Sequence, residues 1–476
     1  MRTPFVATLA LALALVPAPA LSAQAPAQLS REVRQYVAVD APVVALTNVR
    51  VVDGTGAPPA EGQTIIIENG RIGAVGPAAQ VRPPAGAHTM DLSGHTVIPG
   101  LVGMHNHTFY TTTARSVQLS YSAPRLYLAS GVTTIRTTGA ASPYAELNLK
   151  RAIEQGIEPG PRMFVTGPYL NGPSGSTHMM QVNAPDDARR VVAYWAEEGA
   201  SWFKAYAQIS RAELKAAIEE AHRRGLKVTG HLCSVSFREA VALGIDNLEH
   251  GLFTNSDWDP DKQPDVCPAG MRGTLANVEV SSPEVQQTIR EMIENGVAMT
   301  STLAVYELTV PDRPPLEQRV LDAMSPETRE EYLRTREQFS RNAATSVMPQ
   351  VFRKAQEFEL AFARAGGLLA AGVDPTGIGG ALPGFGDQRN YELLIEAGFT
   401  PVEAIQVMSL NGAKILGIDG ELGSIEKGKK ADLVVIRGNP IATPAEIRNV
   451  TVVFKDGIGY DSAKLIEAVK GQVGVR

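Results

Sequence analysis

Eight short apolar runs occupy the middle of the chain, and amphipathic stretches with apolar residues three and four positions apart lie between them. The runs are Thr96 to Met104, Val132 to Thr137, Met163 to Gly167, Ser201 to Tyr206, Lys227 to His231, Asp246 to His250, Val297 to Leu303 and Leu368 to Asp374. Among the helical stretches are Pro185 to Glu198, Arg211 to Arg224 and Glu284 to Asn295. Alternation of this kind favours parallel strands joined by helices. Eight such units in succession describe a TIM-like (β/α)8 barrel, although an open doubly wound sheet gives the same alternation.

Both flanks read differently. Val43 to Leu46, Val49 to Val52, Thr64 to Ile67 and Ile72 to Val75 are strands punctuated by Asp53-Gly54 and Asn69-Gly70, and Ala431 to Ile436 and Val450 to Phe454 repeat that character. The two ends are expected to combine into one small β-sandwich. The predicted organisation is a signal peptide over 1–23, a linker over 24–41, sandwich over 42–96, barrel over 97–418 and sandwich again over 419–476.

The expected leader carries Arg2, an apolar stretch from Phe5 to Val16 and small residues up to Ala23. It is shorter than the roughly 18 to 20 apolar residues that span a bilayer, so it reads as a secretory signal and the mature protein as secreted or periplasmic, with no membrane partner. A net charge of −6 supplies no basic stripe, which argues against nucleic acid. The two cysteines, Cys233 and Cys267, could pair in an oxidising compartment or remain free thiols.

Four of the eight histidines fall at or just past the ends of predicted strands. In an extended segment His105 and His107 point to one side and Asn106 to the other. His231 closes the fifth strand, His250 the sixth, and Asp374 the eighth, beside the first once a barrel closes. Lys204 lies within the apolar run Trp202-Phe203-Lys204-Ala205-Tyr206, where an ammonium beside cations is disfavoured. A neutral amine there can add carbon dioxide to form a carbamate able to bridge two ions. Taken together His105, His107, Lys204, His231, His250 and Asp374 form a candidate metal-ligand set at a barrel mouth. His178, after the Gly-rich loop that follows the third strand, and Tyr206 are candidates to stabilise an oxyanion, and Arg136 to pair with a substrate carboxylate. Phe253 to Pro283 and Glu317 to Arg364 exceed ordinary loops and are expected to cap the mouth, or else to form surface or an oligomer contact.

The segments Pro99-Gly100-Leu101-Val102-Gly103-Met104-His105-Asn106-His107, Phe203-Lys204-Ala205-Tyr206, Glu249-His250-Gly251 and Ala371-Gly372-Val373-Asp374 resemble the amidohydrolase superfamily, in its imidazolonepropionase-like and Xaa-Pro dipeptidase branch. The return Gly423 to Val434 is similar as well, and the resemblance runs from about residue 43 to 457. It implies two divalent ions, usually zinc, and a carbamylated Lys204. Three positions depart from the pattern. Gly103 stands where an Asp is common, Thr137 follows Arg136 in place of an Asp, and Ser176-Thr177-His178-Met179 replaces Gly-Gly-His-Gly.

The expected activity is hydrolysis of an amide or peptide bond in a small molecule, a dipeptide, Xaa-Pro-like compound or N-acyl amino acid. In that reading Asp374 carries the proton from the attacking water to the leaving amine. Alternatives on the same centre are a lactone, cyclic amide or phosphoester substrate, deamination, and a non-catalytic secreted metal-binding protein. A homo-oligomer is left open.

Overall fold

In the computed structural model, residues 29–112, 116–173, 175 and 179–475 are described. The expected signal segment and His178 lie outside them. Eight parallel strands follow one another around a barrel: β1 (Leu101–Asn106), β2 (Val132–Thr137), β3 (Arg162–Asn171), β4 (Trp202–Ala205), β5 (Lys227–Gly230), β6 (Asn247–Glu249), β7 (Ala298–Ser301) and β8 (Leu369–Ala371). Neighbours pair in sequence order, as the alternation of strands and helices predicts.

The first and last strands meet through the amide of Asp374, which donates to the His105 carbonyl at 2.8 Å. Gly372 makes this approach possible. A Cβ at that position would stand 2.2 Å from the His105 backbone nitrogen, so only glycine lets the two strands come together.

The two ends of the chain build a second, nine-stranded sheet. Val43–Val51, Ala60–Glu68, Arg71–Pro77, His88–Asp91 and His95–Pro99 share it with Leu433–Arg437, Val450–Lys455 and Ile458–Asp461, and Val37–Val39 adds an edge. Its separate core includes Val44, Leu46, Ile65, Ile67, Leu433, Val435 and Phe454. The expected strands Val43 to Leu46 and Val49 to Val52 are one strand with a shift of register at Asn48, whose φ is +59°.

The expected first barrel strand, Thr96 to Met104, is two strands in different sheets. His95–Pro99 pairs antiparallel with Leu433–Arg437, and the chain then enters β1 at Gly100, where a Cβ would strike Thr133 at 2.2 Å. Both halves are apolar and buried, so hydropathy alone does not divide them. β3 runs beyond its expected end at Gly167 to Asn171, carrying Tyr169 to the mouth.

The two long segments divide as well. Met348–Arg364 is a helix buried through Val351, Phe352, Phe358 and Phe362, and it packs on β8. It belongs to the barrel wall. After β7 the helices Leu303–Glu307, Gln318–Ala323 and Pro326–Arg341 form the outlying part. After β6 a 3-10 turn at Gly251–Thr254 leads through an irregular stretch to Met271–Ala276. That stretch is fastened to the end of β5 by a disulfide between Cys233 and Cys267, whose Cα atoms are 4.9 Å apart.

Candidate metal centre

His105 and His107 leave β1 on one side, as their spacing requires, and both are buried. Asn106 turns the other way, accepting from the Val373 amide and donating to Asp387, both at 3.2 Å. This accounts for glycine at 103, since a Cβ there would fall 2.2 Å from the Asn106 amide nitrogen. Tyr127 holds the backbone of His107 from both sides: its hydroxyl accepts from the amide at 3.1 Å and donates to the carbonyl at 2.8 Å.

Beneath the imidazoles lies a polar layer centred on Glu249. His105 Nδ1 donates to Glu249 Oε2 at 2.6 Å, and Arg136 donates to Glu249 Oε1 at 2.5 Å. Thr229 and Asn247 also donate to Oε1. Burial by itself would raise the Glu249 carboxyl, but the charge of Arg136, the hydrogen bond from His105 and the charge of Lys204 bring it down to about 2. An ionised Glu249 fixes the His105 tautomer and turns Nε2 toward the mouth.

Arg136 is therefore not where a substrate carboxylate could reach it. Its side chain has no exposure, it donates twice to the Met104 carbonyl, and its guanidinium sits 4.5 Å over the Trp202 ring. The expectation that it binds substrate gives way to a role in holding Glu249, because β2 projects it into the barrel interior below the histidines.

Around His105 Nε2 the remaining groups converge. Lys204 Nζ donates to it at 3.0 Å, and Asp374 Oδ2 stands 3.6 Å away. Asp374 Oδ1 is 3.3 Å from His107 Nε2, and Oδ2 is 3.9 Å from His250 Nδ1, which also contacts Thr302 Oγ1 at 2.7 Å. His231 joins through ring contacts, its centroid 4.4 Å from both His250 and Tyr206. His250 and Asp374 have φ of +68° and +47°, a left-handed backbone that side chains seldom adopt and that turns both into the mouth.

The electrostatics suit a cation. Burial is the main cause that keeps all four imidazoles neutral, lowering His107 to about 4 and His231 to about 3, with His105 and His250 lowered too. Burial also lowers Lys204, to about 8. For Asp374 burial opposes ionisation, yet His105, His107 and His250 hold its carboxyl well below the usual range. Donor atoms of His105, His250 and Asp374 lie within 4.8 Å of one another, and His107 Nδ1 and His250 Nε2 are buried without a hydrogen-bond partner among the described residues. Neutral imidazoles, an ionised carboxylate and unsatisfied ring nitrogens fit a divalent metal ion.

Aromatic rings fringe the centre. Tyr206 is half-buried beside His231, and Tyr169 is 5.3 Å from Tyr206 by centroid, with its hydroxyl 3.4 Å from His107 Nε2. Phe109 lies against His107, and Tyr306 is 5.4 Å from His250 and stacked on Phe253 at 3.7 Å. Burial raises the phenols of Tyr169, Tyr206 and Tyr306, so they stay protonated donors. Sequence reasoning found Tyr206 and missed Glu249, Tyr169, Thr302 and Tyr306. Only Glu249, next to His250 in a buried strand, left a signal: an acid there needs a partner.

A barrel whose mouth gathers neutral histidines, a lysine and an ionised aspartate is the architecture of a metal-dependent hydrolase. The model of the amidohydrolase family matches residues 96–257 and 370–459, and the chain belongs to that family, hydrolases of carbon–nitrogen bonds. A dihydroorotase of Pelotomaculum thermopropionicum is 24% identical over 394 residues, 79% of this chain and 84% of that protein. Among solved structures, a Xaa-Pro dipeptidase superposes with a TM-score of 0.65 at 23% identity, over 88% of this chain and all of the other. Bottromycin amidohydrolase superposes with a TM-score of 0.69 at 20% identity, over 90% and 91% of the two chains. These two likenesses are of fold.

Proposed function

We propose that the protein hydrolyses an amide or peptide bond of a small molecule, a dipeptide, Xaa-Pro-like compound or N-acyl amino acid, at two divalent ions, zinc being the expected metal. His105, His107, His231, His250, Asp374 and a carbamylated Lys204 would hold them. The observation that carries this reading is the convergence of Lys204 and Asp374 on His105 Nε2, at 3.0 and 3.6 Å. Such ions supply a water acidic enough to ionise near neutral pH and a Lewis acid for the scissile carbonyl.

The protein's own groups do the rest. Lys204, lowered to about 8, is neutral often enough near pH 7 to add carbon dioxide, its nitrogen lone pair forming the N–C bond as it loses a proton. That removes the ammonium hydrogen now donated to His105 Nε2 and frees the imidazole lone pair as a ligand. Asp374 takes the proton of the attacking water and delivers it to the departing nitrogen, without which an amine leaves poorly. Tyr206 donates to the oxyanion, and His178 is proposed as a second donor.

The signal peptide over 1–23 and a secreted or periplasmic location belong to the same proposal, and the Cys233–Cys267 disulfide supports an oxidising compartment. A second reading is hydrolysis of a cyclic amide, favoured by the likeness to a dihydroorotase. Purified protein loaded with zinc is to be assayed against dipeptides, N-acyl amino acids, dihydroorotate and lactones. Release of free amino acid is expected. Turnover confined to dihydroorotate would install the second reading, and turnover of lactones alone would overturn both.

A further inference from the structure

Tyr169 stands near the end of β3 and has no part in the reaction proposed above. Between β3 and β4 the register pairs Thr166 with Trp202 and Tyr169 with Lys204, three steps along one strand against two along the other. β3 therefore carries an extra residue at Gly167 and Pro168. Side chains directly opposite one another share a face of a sheet, so the extra residue turns Tyr169 onto the face of Lys204, whose nitrogen lies 5.5 Å from the centre of the tyrosine ring. In an uninterrupted strand residue 168, a proline, would hold that place.

The ring is fixed from three sides. Gly139, just after β2, lies so close that a Cβ there would stand 2.5 Å from the ring carbon Cε1. The rings of Tyr206 and Phe109 meet it edge-on, at 5.3 and 6.4 Å between centroids. A hydroxyl held in this way can donate without first being ordered.

Among the described residues that hydroxyl has one hydrogen-bond partner, His107 Nε2 at 3.4 Å, and the side chain is buried. The nitrogen is contested. Asp374 Oδ1 stands 3.3 Å from the same atom, and a neutral imidazole nitrogen offers either one proton or one lone pair. When Nε2 carries the proton it serves the carboxylate, and when its lone pair holds a cation it is spent. Neither state leaves Nε2 free to accept from the phenol. A buried donor without an acceptor is costly, and the acceptor this one lacks is supplied by an oxygen of whatever occupies the mouth.

We propose that Tyr169 is a further catalytic residue, donating its phenolic hydrogen to the oxygen of the scissile carbonyl as that carbon becomes tetrahedral. This deepens the hydrolase reading and rests on it. The hydrogen stays on the phenol throughout, and the oxygen that gains charge accepts it beside the bond from Tyr206.

The test compares zinc-loaded wild type with Tyr169→Phe, which removes one oxygen and keeps the ring against Gly139. Three quantities are read: kcat and KM for the amide turned over fastest, zinc affinity by competition with a chelator, and calorimetric binding of N-methylphosphonyl-L-proline and N-methylphosphonyl-L-phenylalanine, whose phosphorus is tetrahedral and bears anionic oxygen. The variant is expected to lose about 10²- to 10³-fold in kcat with KM little changed. It should bind the phosphonates about 10- to 100-fold more weakly, the range of one hydrogen bond to a charged oxygen, and bind zinc as wild type does. Equal phosphonate binding by the two proteins, or none by wild type, would overturn the inference. So would a loss of turnover that excess zinc restores, since Tyr169 would then only support His107. Phosphonate binding that needs the hydroxyl, without turnover of any amide, would defeat the hydrolase reading and leave Tyr169 its bond to a tetrahedral anion. Amide turnover as fast in the variant as in wild type would do the reverse.

Discussion

Glu249 accepts from His105 Nδ1 at 2.6 Å while Arg136 grips its other oxygen at 2.5 Å, so the orientation of one imidazole is set by a buried ion pair below the mouth. Glu249→Gln keeps the shape but leaves Arg136 buried without its counter-charge. A loss of about 3 to 5 kcal/mol of stability is expected, together with a 10- to 100-fold weaker affinity for zinc. Thermal melts and metal titration measure the two effects. Unaltered zinc affinity would show that His105 needs no such support.

Gly372 lies where β8 meets β1, 2.2 Å from the His105 nitrogen for any added Cβ. Neither neighbour is a side-chain end that can swing aside, so Gly372→Ala must part the strands that carry His105 and Asp374. The expected result is a destabilised protein, by about 1 to 3 kcal/mol or more, that retains less than its full metal content. Differential scanning calorimetry with metal analysis decides it; an alanine variant with wild-type melting and metal would contradict the described seam.

Asp374 is the proton carrier of the proposed reaction. Asp374→Asn is expected to lower kcat by about 10²- to 10⁴-fold, with the circular-dichroism spectrum unchanged. If turnover persists at the wild-type rate, another base acts and the scheme is wrong.

The histidines predict acid lability of the metal-free protein. His107 and His231 titrate near 6.5 when unfolded and are lowered to about 4 and about 3 in the fold, mainly by burial. Between those values the unfolded chain binds protons that the folded one refuses. The stability they contribute is therefore complete above about pH 6.5 and is lost as pH falls toward 4 and then 3. Melting temperatures across pH 7 to 4 should fall, and fall less for His231→Asn; parallel curves would refute the assignment.

The disulfide joins residues 34 apart and fastens the irregular stretch after β6. Chain entropy puts its contribution at about 3 to 4 kcal/mol. Cys267→Ser should melt earlier by differential scanning calorimetry. A variant that melts like wild type would show that the Arg211–Asp265 pair suffices to hold the stretch.

The barrel was legible because burying eight short strands behind helices writes an alternation of apolar runs that hardly depends on which residues touch. The gathering of His105, His107, Lys204, His231, His250 and Asp374 at the mouth was legible for a related reason. Costly polar groups at the ends of buried strands stand out against an apolar background. Tertiary structure alone decided the rest. Whether Arg136 faces substrate or Glu249 depends on how deep β2 projects it. That Thr96 to Met104 serves two sheets depends on a strand contributed more than 300 residues later. Tyr169 on β3 and Tyr306 on the helix Leu303–Glu307 meet the centre from distant parts of the chain, and an aromatic residue carries no local mark of the company it will keep. Local sequence records what a residue costs to bury, and only the folded chain records which partner meets that cost.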